Sequence, residues 1–265
     1  MNTNSVITIT LGDMAENHVG MQQIGQIVEP GQGFNITDLM LIKQTFDNFY
    51  IQTELIDLSN KELNNINPDI ILPSAYILII KNGIDFILNV ESNYNINQMF
   101  EEQSNLNVDK LALMYGRVVN KKARWNLCFD DVSSEPDYIN GKGRIISWNE
   151  IPITKTIYDK LSIYFGPKAQ FLKAEANYYY NPFICGIGYH GDTERRKVIG
   201  LRLGNQMPLY YQWYYQNNPI GNRMSFNLSN GDIYIMSEKT VGTDWKKKNI
   251  YTLRHATGCD QYTTV

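Results

Sequence analysis

The residues of this chain best suited to chemistry are its few histidines: His18, His190 and His255. In the segment GIGYHGDTE, His190 is followed two positions later by Asp192. Because side chains alternate along an extended chain, residues two apart point to one side and can offer an imidazole and a carboxylate to one ion. His-x-Asp also occurs by chance, so it indicates a metal site only where a third ligand joins it.

Only two histidines are left to supply that third ligand. His255 lies in the strand-like segment YTLRHATGC, whereas His18 lies in AENHVGM, where a loop is expected. A lone histidine is commonly a surface residue or a hydrogen-bonded core residue, and this reading stays open for both. We favour His255 and predict a ligand set of His190, Asp192 and His255. Two imidazoles and one carboxylate on one face leave three positions open, as in non-haem Fe(II) sites.

The first part of the chain, residues 1–95, is predicted to be a small α/β unit. VITITLG at 5–11 alternates as a strand does, and TELIDL at 53–58 reads as a second strand. Apolar residues recur at helical spacing over 36–49, with Thr37 or Asp38 as the expected N-cap.

Two further segments complete this first part. Residues 75–88 are predicted to form a hairpin that turns at Asn82-Gly83, a dipeptide typical of tight β-turns. The polar stretch 91–105 is expected to be a loop with a short helix, and it separates the first unit from the rest of the chain.

From Leu111 onward the pattern changes to many short apolar segments separated by turns. One helix is predicted at 154–166, ended by Gly166-Pro167. We therefore expect a mainly β, α+β protein, in which residues 106–265 form a β-sandwich or a double-stranded β-helix (jelly roll).

Composition and charge limit the classes of protein to which this chain is expected to belong. The formal net charge is −3 and the isoelectric point is near 5.7, so the broad basic face of a dedicated duplex-DNA binder is not expected, although local nucleic-acid contacts remain possible. Cys128, Cys185 and Cys259 are far apart and are expected to be free thiols in a reducing compartment. Neither a signal peptide nor an apolar run long enough to span a bilayer is visible, so the expectation is a soluble protein of the cytoplasm, the nucleus or a virus-infected host cell.

The surroundings of His-x-Asp resemble a known family. NYYYNPFICGIGYHGDTE is similar to the core motif of the AlkB-like 2-oxoglutarate- and Fe(II)-dependent dioxygenases, in which an N-x-Y strand and a glycine-containing turn precede H-x-D and an acidic neighbour. The matching positions are Asn177, Tyr179, His190, Asp192 and Glu194.

The resemblance continues on both sides of this motif, over roughly residues 110–260. VIGLRLG (198–204) and LSNGDIYIMS (228–237) look like the two strands that follow in the family, and GRVVNKKARWNLCFDD (116–131) is similar to its substrate lid. The segments GDMAENHVGMQ and LRHATG resemble an AlkB-like group found in algae and large DNA viruses.

The sequence departs from the family pattern after the strand at 228–237. The family places its second histidine shortly afterwards and then an R-x-N-x-x-x-x-R segment, whose first arginine binds the distal carboxylate of 2-oxoglutarate. Here no arginine follows His255. Arg202 is the candidate for that role because guanidinium binds carboxylate in bidentate fashion, although an edge-strand surface arginine is the alternative. Arg254 adjoins His255 and should face away from the metal.

The resemblance implies an enzyme that uses Fe(II), 2-oxoglutarate and O₂ to hydroxylate, and in some cases demethylate, a C–H bond. Arg202, Asn177 and Tyr179 would hold the 2-oxoglutarate. The expected substrate is a modified nucleic-acid base. The alternatives are a protein side chain, a free small molecule, or a jelly-roll binding protein with no catalysis.

Other residues are assigned more loosely. Lys121, Lys122 and Arg124 are expected to contact phosphate. Trp125 and Trp213 would line the substrate pocket or belong to the core. The run Arg195, Arg196 and Lys197 is expected to be a solvated turn. Oligomeric state and the prime substrate are left open by the sequence.

Overall fold

A computed structural model describes residues 5–59 and 69–265, and over these ranges the protein is mixed α/β with more strand than helix. The strands are β1 (Val6–Gly12), β2 (Met14–Glu16), β3 (Gln23–Gly25), β4 (Thr53–Asp57), β5 (Tyr76–Ile80), β6 (Leu111–Met114), β7 (Arg117–Asn120), β8 (Trp125–Asp130), β9 (Ile145–Ser147), β10 (Lys173–Tyr179), β11 (Gly186–His190), β12 (Val198–Gly204), β13 (Met207–Tyr215), β14 (Asn218–Leu228), β15 (Ile233–Met236) and β16 (Thr252–Gly258). The α-helices are α1 (Ile36–Asp47), α2 (Gly83–Glu91), α3 (Ile96–Ser104), α4 (Pro152–Asp159), α5 (Leu161–Phe165), α6 (Glu238–Val241) and α7 (Asp260–Thr263).

Two sheets dominate the described part of the chain. The large sheet has eight strands in the order β4-β5-β15-β12-β1-β10-β8-β9, and the small sheet has four in the order β11-β16-β13-β14. Neighbouring strands are antiparallel except β8 and β9, which are parallel. Two hairpins, β2-β3 and β6-β7, lie outside these sheets.

Apolar residues and threonines alternate in VITITLG, and this alternation determines what lies on each face of the large sheet. Ile7, Ile9 and Leu11 belong to the core that also contains the apolar residues of α1 to α5. Thr8 and Thr10 are buried on the opposite face, where they line a cavity together with residues of the small sheet. Because successive side chains of a strand point to opposite faces, one short segment supplies apolar residues to the helices and hydroxyls to the cavity.

A second apolar core joins the two sheets beside that cavity. It contains Ile77 and Met236 of the large sheet and Tyr211, Trp213 and Leu253 of the small sheet. The indole N–H of Trp213 donates to the carbonyl of Leu58 at 2.6 Å, so this ring is a core residue. Trp125 is instead stacked on Tyr180, with ring centroids 4.3 Å apart.

The strands expected at 5–11 and 53–58 and the short helix expected within 91–105 are confirmed. The helix expected at 36–49 is present, but Asn35, rather than Thr37 or Asp38, is its N-cap. The Asn35 side chain accepts from the N–H of Asp38, and the Asp38 carboxylate accepts from the N–H of Asn35.

The hairpin expected at 75–88 is wrong. The first arm is β5, but the second is helix α2, which starts at Gly83. Asn82 does have the left-handed conformation that the turn required, with φ of 52°. The chain then turns into a helix because Ile84, Ile87 and Leu88 recur at helical spacing and are buried together against the sheet.

The helix expected at 154–166 is divided into α4 and α5 at Lys160, and it ends at Gly166 as expected. Cys128 and Cys185 are buried, Cys259 is partly exposed, and all three are free thiols. Within the described residues, the helices are too short or too polar to cross a membrane.

The expected boundary between residues 1–95 and 106–265 does not separate two sheets. Strands β1, β4 and β5 of the first segment lie in the same sheet as β8, β10, β12 and β15 of the second. The register pairs Thr8 with Asn177 on one side and with Arg202 on the other. Backbone hydrogen bonding therefore joins the N-terminal strand to the part of the chain that carries the candidate ligands.

Candidate metal centre

His190 and His255 lie opposite each other on the neighbouring strands β11 and β16 of the small sheet. Ile187 pairs with Thr257, and His190 then pairs with His255, so β11 uses one residue more than β16 between the two pairs. This bulge determines which side chain faces the cavity. In a regular strand, Tyr189, two residues after Ile187, would point toward the cavity. With the extra residue, His190 faces the cavity beside Ile187, His255 and Thr257.

Asp192 is held by the turn that follows β11, because the strand ends at His190. The backbone N–H of Asp192 donates to the carbonyl of Val241 at 3.0 Å. A Cβ at Gly191 would lie 2.0 Å from the carbonyl oxygen of Gly242, so only glycine permits this close approach of two backbones. Both ligands were expected on one extended strand. Instead, His190 lies at the end of β11 and Asp192 lies in the turn that follows it.

The structure brings His190, Asp192 and His255 together, with one ligand atom of each within 4.8 Å of the others. Oδ1 of Asp192 lies 3.5 Å from Nε2 of His190 and 3.7 Å from Nε2 of His255. The two imidazole centroids are 4.4 Å apart. Ligand atoms at about 2.1 Å from one ion and at right angles to each other are about 3 Å apart. A small contraction of this cluster therefore suits a single ion.

A hydrogen bond fixes His190 in the tautomer that can bind a metal ion. Its Nδ1 lies 2.8 Å from the carbonyl oxygen of Gly188, which only accepts, so Nδ1 carries the proton and Nε2 presents a lone pair. His255 is buried, and burial, with His190 and Arg195 nearby, holds the pKa of its imidazole well below the usual range. A neutral imidazole is the form that binds a cation.

Arg195 corrects the expectation of a solvated turn at residues 195–197. Its side chain is only 2% exposed, and Nη2 lies 2.8 Å from carboxylate oxygens of both Glu175 and Glu194. Nε is 3.5 Å from Oδ2 of Asp192. Arg196 is also partly buried and contacts Glu238. Arg195 and Arg196 are therefore structural, because carboxylates pair with both guanidinium groups.

A cavity of about 60 Å³ begins at the three candidate ligands and extends between the sheets. Arg202, 1% exposed, lines it together with Thr8, Asn177, Tyr179 and Tyr234. Nε and Nη1 of Arg202 and the hydroxyl of Thr8 have no hydrogen-bond partner. Burial of a guanidinium is costly unless its N–H groups are paired, and the unpartnered nitrogens of this buried residue are available to an anion that enters the cavity. The surface alternative for Arg202 is therefore excluded.

The other sequence candidates take different places. The amide oxygen of Asn177 accepts from Arg124 at 2.6 Å and from Asn126 at 2.7 Å, and Tyr179 is buried at the cavity wall. Arg254 lies on the opposite face from His255, as expected, where it packs over Tyr214.

An outer cleft of about 710 Å³ leads from the triad to the surface. It is lined by His18 and Trp245, by the cations Arg124, Arg195 and Lys246, and by the carboxylates of Glu16, Glu175, Asp192 and Glu194. His18 therefore belongs to the cleft and does not join the triad. Lys121 is turned toward Asn17, and burial lowers the pKa of its amine to about 8, while Lys122 is exposed.

Sequence reasoning missed Thr8, Glu175, Tyr234 and the structural role of Arg195. The polar face of VITITLG was a usable signal, because threonines alternating with buried apolar residues indicate a strand with something polar to face. Glu175 and Arg195 gave no such signal, since the residues they contact are brought together only by the fold.

Comparison with known proteins places the chain in a family. No protein-family model matches it. It is 49% identical over 257 residues to protein R156 of Acanthamoeba polyphaga mimivirus, in an alignment that spans 97% of the chain and 96% of R156. The chain belongs to the R156 family. The name R156 states no activity, so it assigns no function to this member of the R156 family.

Proposed function

We propose that the protein is an Fe(II)- and 2-oxoglutarate-dependent dioxygenase. The observation that carries the proposal is one cavity that contains both a His-Asp-His cluster and a buried arginine with unpartnered nitrogens. The cluster suits a divalent metal with open positions. The arginine suits the distal carboxylate of a dicarboxylic acid whose other end reaches the metal. Neither feature alone would favour this class of enzyme.

The strand order supports a jelly-roll core. From β10 the chain passes to β11, β12 and β13, changing sheet at each step, and then through β14, β15 and β16. Two facing sheets, β15-β12-β1-β10 and β11-β16-β13-β14, make eight strands, the number in a jelly roll. In a jelly roll, the strand that follows β16 in sequence would lie between β10 and β12. We propose that β1 takes the place of that strand.

This arrangement accounts for the arginine that is missing after His255. In the resembling family that arginine follows the second metal-binding histidine along the chain. Here the central place in the large sheet belongs to β1, which brings Thr8 and Thr10 to the cavity. Arg202 lies on the adjacent strand β12, directly opposite Thr8. A guanidinium on the neighbouring strand, next to a free hydroxyl, therefore supplies the anion site.

In the proposed mechanism the chain positions reactants and keeps the oxidant away from water. Fe(II) bound at the triad supplies the chemistry that couples decarboxylation of 2-oxoglutarate by O₂ to hydroxylation of a C–H bond. Arg202 and Thr8 bind the distal carboxylate, and Tyr179 forms part of the enclosing wall. The buried cavity limits access of water, while the outer cleft admits the substrate to the open side of the triad.

For the substrate we propose a modified nucleic-acid base. The outer cleft is continuous with the triad and is lined by the aromatic ring of Trp245 and by Arg124. A base removed from its stack requires an aromatic contact and a cation for the adjoining phosphate. Of the three cations first assigned to phosphate, Arg124 is the one that lines the cleft.

The reaction class is tested by anaerobic titration of the Fe(II)-loaded protein with 2-oxoglutarate. We expect a visible absorption that needs both Fe(II) and the 2-oxo acid, followed by succinate formation when O₂ is admitted. Purified protein that binds metal at the triad but gives neither signal would contradict the dioxygenase and favour a binding protein. The substrate class is tested separately with oligonucleotides carrying N-methylated bases, methylated peptides and free amino acids, scored by substrate-stimulated succinate formation. Stimulation by peptides or amino acids alone would exclude the base.

A further inference from the structure

We propose that Arg195 is a positioning residue for the metal centre: it holds Asp192 so that one carboxylate oxygen faces the two imidazoles and the other is kept for the guanidinium. The inference deepens the proposed function and rests on the triad being a metal site. It gives a role to a buried cation that the proposed reaction does not otherwise use.

The two oxygens of Asp192 have different neighbours. Oδ1 lies between the imidazoles, 3.5 Å from Nε2 of His190 and 3.7 Å from Nε2 of His255. Oδ2 lies 3.5 Å from Nε of Arg195. A free aspartate can rotate its carboxylate and present both oxygens to an ion. The guanidinium opposes that rotation because it attracts the oxygen that does not lie between the imidazoles.

Arg195 is itself fixed by the large sheet and by the turn that carries Asp192. Its Nη2 lies 2.8 Å from Oε2 of Glu175, on β10 of the large sheet, and 2.8 Å from Oε1 of Glu194, in the turn after the ligand. The Thr243 hydroxyl donates to its carbonyl oxygen at 3.0 Å. The turn that carries Asp192 is thereby anchored across the sandwich to the opposite sheet.

Burial separates this arrangement from an ordinary surface ion pair. Exposed pairs contribute little to stability and tolerate substitution. Arg195 is 2% exposed and lies within 3.5 Å of carboxylate oxygens of Glu175, Asp192 and Glu194. A guanidinium stays protonated throughout the pH range in which proteins are handled, so it can act as a fixed orienting charge.

The test is Co(II) binding by the wild type and by Arg195→Lys, Arg195→Gln and the double variant Arg195→Gln/Glu175→Gln. The double variant keeps the local charge balance, so it remains informative if the single glutamine variant unfolds. Arg196→Gln is the matched control, because Arg196 adjoins Arg195 but pairs with Glu238 at 3.3 Å. Outer-shell partners of metal ligands contribute about 10- to 100-fold in metal affinity.

We expect the double variant to fold, to bind Co(II) about 10- to 100-fold more weakly and to show an altered visible spectrum. Arg195→Lys keeps the positive charge but loses the planar guanidinium. Its Co(II) affinity should therefore lie between those of the double variant and the wild type. Arg196→Gln should match the wild type. If Arg195→Lys and the double variant both keep the wild-type affinity and spectrum, the role of Arg195 is overturned. If the wild type binds no Co(II), or binds it equally well after His190→Ala, the proposed metal centre itself is wrong.

Discussion

The imidazoles of His190 and His255 face each other from directly paired positions of β11 and β16, with their centroids 4.4 Å apart. They are 65 positions apart in the sequence, and the pairing depends on the one-residue bulge in β11. Directly opposed residues of an antiparallel pair are the closest cross-strand neighbours. The second imidazole thus comes from the adjacent strand and needs no loop to carry it.

The first prediction concerns the histidine that completes the triad. His255→Ala should weaken Co(II) binding by more than about 100-fold, beyond the loss expected for an outer-shell partner, because one of three protein ligands is removed. His18→Ala is the control, since His18 lines the outer cleft without joining the cluster. Isothermal titration with Co(II) measures both. Equal loss in the two variants would count against the assignment of His255.

The second prediction separates binding of the co-substrate from stability. Arg202→Met should weaken 2-oxoglutarate binding by about 10- to 100-fold, because a charge-assisted hydrogen bond contributes about 1.5–3 kcal/mol. Without ligand, the variant should be at least as stable as the wild type, since a buried unpaired charge has been removed. Arg117→Met, at an exposed position of β7, is the control. Unchanged 2-oxoglutarate affinity, measured by titration of the Co(II)-loaded protein, would place the anion site elsewhere.

The third prediction tests the backbone contact between the two metal-binding positions of His-x-Asp. Gly191→Ala should lower the free energy of unfolding by about 1–3 kcal/mol, the usual cost of overpacking, because the new Cβ would lie 2.0 Å from the carbonyl oxygen of Gly242. Gly188→Ala should be nearly neutral, since its Cβ would meet nothing closer than 3.7 Å. Urea denaturation of the apo-protein measures both changes. Similar losses in the two variants would mean that this contact does not constrain the turn.

The fourth prediction concerns pH. Burial lowers the pKa of Lys121 to about 8 in the folded protein, against an ordinary value of 10.5. The unfolded chain therefore binds more protons between these values, and stability should rise as pH increases from about 8 to about 10. Lys121→Met should remove this part of the rise, whereas Lys122→Met, at an exposed neighbour, should leave it unchanged. Urea denaturation at several pH values is the measurement, and an identical pH dependence in Lys121→Met and the wild type would refute the shift.

Local chemistry in the sequence was enough for several parts of the structure. The alternation in VITITLG gave β1, and helical spacing over 36–49 gave α1. Where two local signals competed, the sequence misled: Asn82-Gly83 indicated a hairpin, but the apolar spacing that follows formed α2. A local dipeptide preference contributes less free energy than burial of Ile84, Ile87 and Leu88.

At the candidate metal centre, the sequence and the tertiary structure determined different features. Residue types and the small number of histidines determined the candidate ligands, since His-x-Asp leaves only His18 and His255 to supply a second imidazole and only His255 lies in a strand-like segment. Only the tertiary structure decided that a bulge turns His190 toward His255, that Arg195 is buried among carboxylates, and that β1 lies beside β12 with Thr8 opposite Arg202. The reason is physical: side-chain type is a property of one residue, whereas burial and pairing depend on strands that are distant in the chain and meet only when the sheets form.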